Sequence, residues 1–130
     1  MQPGEILVSI NMPAPQAHSG ANYLRFIPRN EMDIAVTNAA SYVRFDGNNV
    51  SAARIAIGAV GPTVLMVPDA VSAIVGKPLT DETIKAAGEA AKATARPIDD
   101  MRGTIKQRKH LSAVLVERTL RKAAERARGG

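Results

Sequence analysis

Residues 42–58 read YVRFDGNNVSAARIAIG and predict a β-hairpin. The central DGNN, residues 46–49, supplies the turn, because Gly and Asn tolerate the positive φ angles that tight hairpins require. On the return strand, Ile55 and Ile57 share one face while Arg54 lies on the other, as the two-residue period of a strand dictates. This hairpin therefore predicts an antiparallel sheet with one apolar and one polar face.

Upstream of the hairpin, three further segments have extended character. Residues 33–45 predict the first hairpin strand, with a bulge or kink at residues 38–41, where the regular alternation breaks. Residues 23–26 predict a shorter strand that a proline interrupts. Residues 6–12 form an apolar run that ends at a proline, which predicts an initial strand. The polar, glycine-containing residues 16–22 are expected to form a loop.

Downstream of the hairpin, the apolar period changes from two to about 3.6 residues. After a short strand at residues 63–66, Pro68 is placed as the first-turn residue of a helix that Gly76 ends. Thr80 predicts the capped start of a second helix that runs to about residue 95. A basic helix follows from about Thr104. We expect an α+β fold, with an antiparallel sheet of three to four strands followed by three helices packed on one side.

The length of 130 residues and the hydrophobic content of 45% predict one compact domain over residues 1–130, with a sheet at about 5–66 and helices at about 68–128. The absence of cysteine excludes disulfides, thiolate metal sites and cysteine nucleophiles. No apolar run approaches the roughly 20 residues of a membrane span. The amino terminus lacks the basic start and long apolar stretch of a secretory signal, so a cytoplasmic location is expected.

The net charge of +5 is concentrated at the carboxyl end of the chain. Residues 101–130 carry nine Lys or Arg against two Glu, a net +7, which leaves −2 on residues 1–100. Cations near a helix carboxyl end favour its dipole and stay solvated. The chain has no Trp, two Tyr and two Phe for stacking on bases. We therefore do not expect nucleic acid to be its ligand.

The residues show no complete catalytic or metal-binding pattern. His18 lies in the predicted loop and His110 in the basic helix, and neither is paired with a nucleophile or a second ligand at metal spacing. The adjacent Asp99 and Asp100 are expected to cap the helix that follows them. We predict no catalytic residue and no metal ligand in this chain.

Five short motifs nevertheless occur in an order that resembles one family. They are Glu5-Ile6-Leu7 with Pro13, Tyr23-x-Arg25 with Arg29 and Asp33-Ile34-Ala35, residues 54–63, residues 74–79, and residues 97–103. Together they resemble the carboxyl-terminal domain of the FAD-binding medium subunit of molybdenum hydroxylases. This group contains carbon monoxide dehydrogenase, xanthine dehydrogenase and aldehyde oxidoreductases.

The resemblance implies a role in electron transfer. In this family a molybdenum subunit oxidises the substrate, iron–sulfur clusters pass the electrons on, and the FAD of the medium subunit delivers them to an acceptor. The implied partners are the FAD-binding domain, the iron–sulfur subunit and the molybdenum subunit. By position, the resemblance implies that Leu7, Tyr23 and Arg25 contact the flavin, with Arg25 where some members place a lysine. Packing in the core is the alternative role for Leu7 and Tyr23, and a solvent-exposed position is the alternative for Arg25.

The family binds the FAD pyrophosphate mainly through glycine-rich loops of an amino-terminal domain, and these 130 residues contain no such loop. We therefore expect that the chain alone binds no FAD tightly and catalyses no reaction. Two other functions stay open. A scaffold or subunit-interface module would use the basic helix to dock an acidic partner, and a nucleic-acid-binding module would use its Lys and Arg side chains.

Overall fold

The computed structural model describes residues 2–30 and 32–129. Its elements, in chain order, are β1 (Ser19–Phe26), β2 (Thr37–Asp46), β3 (Asn49–Gly58), β4 (Leu65–Met66), α1 (Pro68–Ile74), α2 (Asp81–Thr94) and α3 (Ile105–Arg128). The strands form one antiparallel sheet in the order β1-β2-β3-β4. The three helices pack on one face of it, so the predicted α+β fold is confirmed.

The hairpin of β2 and β3 forms at the predicted turn, where Gly47 has a φ of 57°. The predicted bulge at residues 38–41 is wrong, because β2 pairs regularly there and the register shifts instead between Arg44 and Phe45. The physical reason lies in β3. Val50 and Ile55 are an odd number of positions apart, so strict alternation would place one of them in solvent, and the bulge allows both to be fully buried.

The predicted strand at residues 6–12 is also wrong. These residues belong to no strand of the sheet, and Val8 is 91% exposed. The sheet begins instead at Ser19, inside the predicted loop, because residues 19–22 pair with residues 41–44 of β2. An apolar run becomes a strand only when a neighbouring backbone satisfies its N–H and C=O groups. Residues 6–12 have no such neighbour in the described sheet.

The core lies between the sheet and the helices, and α3 forms its centre. This helix crosses β1 and β2 and packs against α2. Gly20 permits the close approach, because a Cβ there would lie only 2.1 Å from the carbonyl oxygen of Ala123. Two buried hydroxyl pairs also join β2 to α3. Thr37 Oγ1 lies 3.0 Å from Ser112 Oγ, and Ser41 Oγ lies 2.8 Å from Thr119 Oγ1.

The three helices begin where their local signals predict. Pro68 occupies the first turn of α1, and Gly76 follows this helix with a φ of 78°. Thr80 and Thr83 form a reciprocal capping box on α2. Thr104 accepts a hydrogen bond from the Gln107 N–H at the start of α3. None of the helices in the described part of the chain is long and apolar enough to cross a membrane.

Candidate functional site

The face of the sheet opposite the helices is open, and it carries two of the three predicted site residues. Strand pairing aligns Tyr23, Ala40, Ala56 and Met66 in one row across all four strands. The neighbouring row consists of Ala21, Tyr42 and Arg54. Because residues directly opposite in an antiparallel sheet point to the same face, these two rows line a shallow depression of about 520 Å³.

Tyr23 and Arg25 lie two positions apart on β1 and therefore point to the same side of the sheet. Gly20 is an odd number of positions from both residues, so it faces the opposite side of the sheet, and it lies against α3. The side chains of Tyr23 and Arg25 therefore point away from the helices. The Tyr23 side chain is 55% exposed, which excludes a core role for it within this domain. Arg25 is also exposed and makes no ion pair with any described residue.

Leu7, the third predicted residue, is not brought together with the other two. It lies in the amino-terminal segment before β1 and is 65% exposed, so it is not a core residue of this domain either. The same segment reaches the open face further along, where Pro13 and Gln16 line a depression beside Arg44. Whether Leu7 contacts a cofactor depends on groups outside this chain and remains a prediction.

The loop between β1 and β2 is tied down by ion pairs around Asp33. The side chain of Asp33 is only 6% exposed, and its carboxylate oxygens lie 3.6 Å from Arg29 Nε and 3.8 Å from Arg102 Nε. Arg29 also donates a hydrogen bond of 3.1 Å to the Met32 carbonyl oxygen. The sequence motifs contained Arg29, Asp33 and Arg102, but they did not predict that Arg102 pairs with Asp33. Asp33 therefore connects the loop that follows β1 with the segment that precedes α3.

The segment at residues 97–103 contacts a buried arginine, Arg108 of α3. The sequence analysis had counted this residue among the solvated cations. Arg108 is 4% exposed, and its guanidinium donates 2.6 Å and 2.7 Å hydrogen bonds to Asp100 Oδ1 and the Val36 carbonyl oxygen. Asp100 also accepts hydrogen bonds from the N–H groups of Arg102 and Gly103. The Arg102 N–H and then the Arg108 guanidinium hold the pKa of the Asp100 carboxyl below its usual range.

The two adjacent aspartates thus have different roles. Asp99 accepts a hydrogen bond from the Ile105 N–H, which confirms the predicted capping of α3. Asp100 instead stabilises the turn before the helix and the buried guanidinium. The pairing of Asp100 with an arginine eight positions later cannot be read from the periodicity of apolar residues, so the sequence analysis missed it.

Six of the nine cations in residues 101–130 have identified partners within the domain. Arg121 pairs with Asp81 and Glu117, Lys122 with Glu125, and Arg128 lies over the Phe45 ring at 4.7 Å. The others are Arg102, Arg108 and Arg126. Because these side chains already have contacts within the domain, the case for a nucleic-acid surface is weaker.

No cluster of three or more potential metal ligands occurs among the described residues, and His18 and His110 are both exposed. His18 lies in a turn with a φ of 55°, and its carbonyl oxygen accepts a hydrogen bond from the Phe45 N–H. The backbone of His18 therefore has a structural role at the start of β1.

Comparisons with known proteins identify the family to which this fold belongs. The chain is 33% identical over 123 residues to the carbon monoxide dehydrogenase medium chain of Hydrogenophaga pseudoflava, covering 95% of this chain and 42% of that one. It is 35% identical over 127 residues to the 6-hydroxypseudooxynicotine dehydrogenase complex subunit alpha of Paenarthrobacter nicotinovorans, covering 97% and 43%. The chain thus spans about two fifths of the length of these relatives.

Solved structures agree with the sequence relatives. A chain of the carbon monoxide dehydrogenase from Hydrogenophaga pseudoflava superposes with a TM-score of 0.82 at 34% identity, covering 88% of this chain and 39% of that one. Quinoline 2-oxidoreductase from Pseudomonas putida 86 gives a TM-score of 0.81 at 30% identity, covering 89% and 40%. The family model of the CO dehydrogenase flavoprotein C-terminal domain matches residues 22–123. The resemblance seen in the sequence motifs is confirmed: the chain belongs to the CO dehydrogenase flavoprotein C-terminal domain family.

Proposed function

We propose that this chain is the carboxyl-terminal domain of the flavoprotein subunit of a molybdenum hydroxylase and that the open face of its sheet helps to enclose FAD. The observation that carries the proposal is the exposed pair of Tyr23 and Arg25 on β1, which lies inside the region of the family match. In the complete enzyme, electrons would pass from iron–sulfur clusters through this flavin to an external acceptor. The iron–sulfur and molybdenum subunits are then its proposed partners.

The side chains on the open face suit the ring system of a flavin. A Tyr hydroxyl can donate or accept a hydrogen bond, and a guanidinium donates to carbonyl oxygens or ring nitrogens. Tyr23 and Arg25 present these groups beside Ala40, whose small side chain keeps the neighbouring surface flat. Arg25 also brings a planar, cationic fork of donors to this side of the site. Bound FAD would supply the redox chemistry, while these residues bind and orient one side of its ring.

The described residues do not suit the pyrophosphate of FAD. Phosphates bind where the free N–H groups of a helix start or a glycine-rich loop converge. The start of α2 is instead occupied by the side chain of Thr80, and that of α3 by the side chains of Thr104 and Asp99. The start of α1 has no side-chain cap, but its first turn contains Pro68, which has no N–H, and the acidic Asp69. The domain would therefore supply one part of a site, and the phosphate-binding part would come from elsewhere in the enzyme.

Titration of the isolated chain with FAD, followed by flavin fluorescence, tests this division of the site. We expect no saturable binding at micromolar FAD, because Tyr23 and Arg25 alone contact only one side of a ring. Tight stoichiometric binding would contradict the proposal that the domain holds only part of the site.

Substitution within the assembled flavoprotein tests the contact itself. Arg25→Gln should lower the amount of FAD retained and lower the flavin reduction potential, because a nearby positive charge favours the more negative reduced ring. Arg118→Gln is the matched control, since Arg118 is exposed on α3, on the other side of the sheet. Equal FAD content and potential in both variants would rule out a flavin contact for Arg25.

The scaffold alternative is supported by the exposed apolar side chains of the amino-terminal segment, such as Ile6, Val8 and Met12. A domain with that function alone would form a complex of the same affinity with and without flavin. Measuring complex formation with flavin-loaded and flavin-free partner therefore distinguishes it from the flavin-enclosing function.

A further inference from the structure

We propose that the part of the open face around Arg54 docks a protein partner that presents a carboxylate within an apolar patch. We call this part the Arg54 surface; it consists of Ala21, Tyr42, Arg54, Ala56 and Met66. The inference rests on the proposed function in one respect: the partner is assumed to be another protein of the same flavoenzyme.

Strand pairing defines the shape of the Arg54 surface. Arg54 lies directly opposite Tyr42, which lies directly opposite Ala21, so the three side chains stand side by side with Cβ atoms about 5 Å apart. In the next row, Ala56 lies opposite Met66 at the edge strand. The small alanine side chains leave a depression into which the side chains of a second protein can insert.

All the charged side chains that line this depression are positive. Its lining contains the guanidinium groups of Arg54 and Arg126 and no Asp or Glu. Arg126 donates a hydrogen bond of 2.6 Å to the Ala21 carbonyl oxygen, so part of its donor capacity is used within the domain. Arg54 makes no hydrogen bond or ion pair with any residue that the structure describes. Its planar fork of donors matches a carboxylate, which it can bind through two parallel hydrogen bonds.

The composition of the Arg54 surface is typical of a protein interface. Aromatic residues, Met and Arg are enriched at such interfaces relative to the rest of the surface, whereas Lys and Glu are depleted. Met66 is 56% exposed on this surface, and Tyr42 lies beside Arg54. A second copy of this chain does not fit, because two copies of the cationic surface would repel each other. An acidic and apolar patch on another protein complements both the charge and the apolar area.

The test measures the affinity of the full chain for the other proteins of the flavoenzyme. Arg54→Glu should raise the dissociation constant roughly tenfold or more, because it places like charges opposite each other. Arg118→Glu is the control with the same change of charge on the far side of the domain. Circular dichroism should show an unchanged fold for both variants, since both arginines are exposed. Equal dissociation constants for the two variants would overturn the inference.

A second measurement identifies the partner group directly. Arg54→Lys places a primary amine on this surface, which a carbodiimide links covalently to a carboxylate in direct contact. We expect a cross-link to one Asp or Glu of a partner subunit, found by mass spectrometry, and none at the position of the Arg118→Lys control. Failure to cross-link at position 54, preferential self-association, or binding of an oligonucleotide in place of the protein would each contradict the inference.

The two proposals fail in different ways. If Arg25→Gln leaves the FAD content unchanged while Arg54→Glu weakens assembly, the flavin contact is wrong and the docking surface stands. If Arg25→Gln lowers the FAD content while Arg54→Glu behaves like its control, the docking surface is wrong and the flavin contact stands. If the wild-type chain binds none of these proteins, the docking surface is wrong, and the FAD content of the Arg25→Gln flavoprotein decides the flavin contact separately.

Discussion

Asp100 and Arg108 form the ion pair that joins the start of α3 to the sheet, with Oδ1 of the carboxylate 2.6 Å from Nη2 of the guanidinium. Arg108 also donates to the carbonyl oxygen of Val36, the residue directly before β2, at 2.7 Å. Through Arg102, the same segment also contacts Asp33 in the loop that follows β1. The loop between β1 and β2 is therefore tied at Asp33 and Val36 to the segment that precedes α3 and to Arg108.

Replacing Arg108 with methionine should destabilise the domain. An apolar stem is kept in Arg108→Met, but the buried Val36 carbonyl oxygen loses its guanidinium donor, and the Asp100 carboxylate loses one of its three donors. Leaving a buried acceptor unsatisfied costs about 1–3 kcal/mol, so urea denaturation should show a lower free energy of unfolding by that amount. Arg118→Met, at an exposed position on the same helix, should change it by less than about 0.5 kcal/mol. Equal stability of the two variants would mean that the buried pair contributes nothing.

The contribution of Asp100 to the free energy of unfolding should depend on pH. Because its pKa is lowered in the folded protein, the carboxylate stabilises the fold above the pKa of the unfolded chain, which is about 4. That stabilisation is lost as the pH falls below about 4 and through the lower pKa of the folded state. Asp100→Asn should therefore be less stable than the wild type at pH 7, and the difference should shrink in acid. A difference that is constant between pH 7 and pH 3 would contradict this assignment.

Gly20 should not tolerate a side chain. A Cβ at this position would lie 2.1 Å from the Ala123 carbonyl oxygen and 2.7 Å from the Ala127 nitrogen, and both are backbone atoms of α3. Gly20→Ala must push the helix away from β1, which should cost about 1–3 kcal/mol in unfolding experiments. Ala21→Val is the control, because the neighbouring side chain is exposed on the open face. An unaffected Gly20→Ala variant would show that the packing of α3 on β1 is looser than the structure indicates.

The buried hydroxyls of Ser41 and Thr119 should be energetically coupled. They lie 2.8 Å apart, and Thr119 Oγ1 also donates to the Val116 carbonyl oxygen at 3.0 Å. Each of Ser41→Ala and Thr119→Val should cost about 1 kcal/mol, since each leaves one buried polar group without its partner. The double variant should lose less than the sum of the two. Strict additivity in this double-mutant cycle would exclude a direct hydrogen bond.

Leu7 should contribute nothing to the stability of the isolated chain. Its side chain is 65% exposed and belongs to no core cluster of the described residues. Leu7→Ser should therefore leave the melting temperature unchanged, whereas Val43→Ser, within the core, should lower it. If Leu7 contacts the flavin as predicted, the same Leu7→Ser change should lower FAD retention in the assembled flavoprotein. A lower melting temperature in the isolated chain would point instead to a packing role.

Much of the fold was predictable because its signals are local. The turn at Gly47 and the caps at Thr80 and Thr104 depend on the conformational preferences and hydrogen bonds of a few neighbouring residues. The same is true of the side of β1 on which Tyr23 and Arg25 lie, because strand alternation determines it. These two residues came from the family resemblance, and their flavin contact remains a prediction.

The remaining features depend on which distant residues meet. The apolar residues 6–12 resembled a strand, but only a partner backbone could have made them one. The bulge at Arg44 follows from the need to bury Val50 together with Ile55. Arg108 looked like another solvated cation until the folded chain placed Val36, 72 positions away, beside it. The sequence alone therefore determined the order and type of most helices and strands. Which strands pair, which polar side chains are buried and which face of the sheet stays open were decided only by contacts in the tertiary structure.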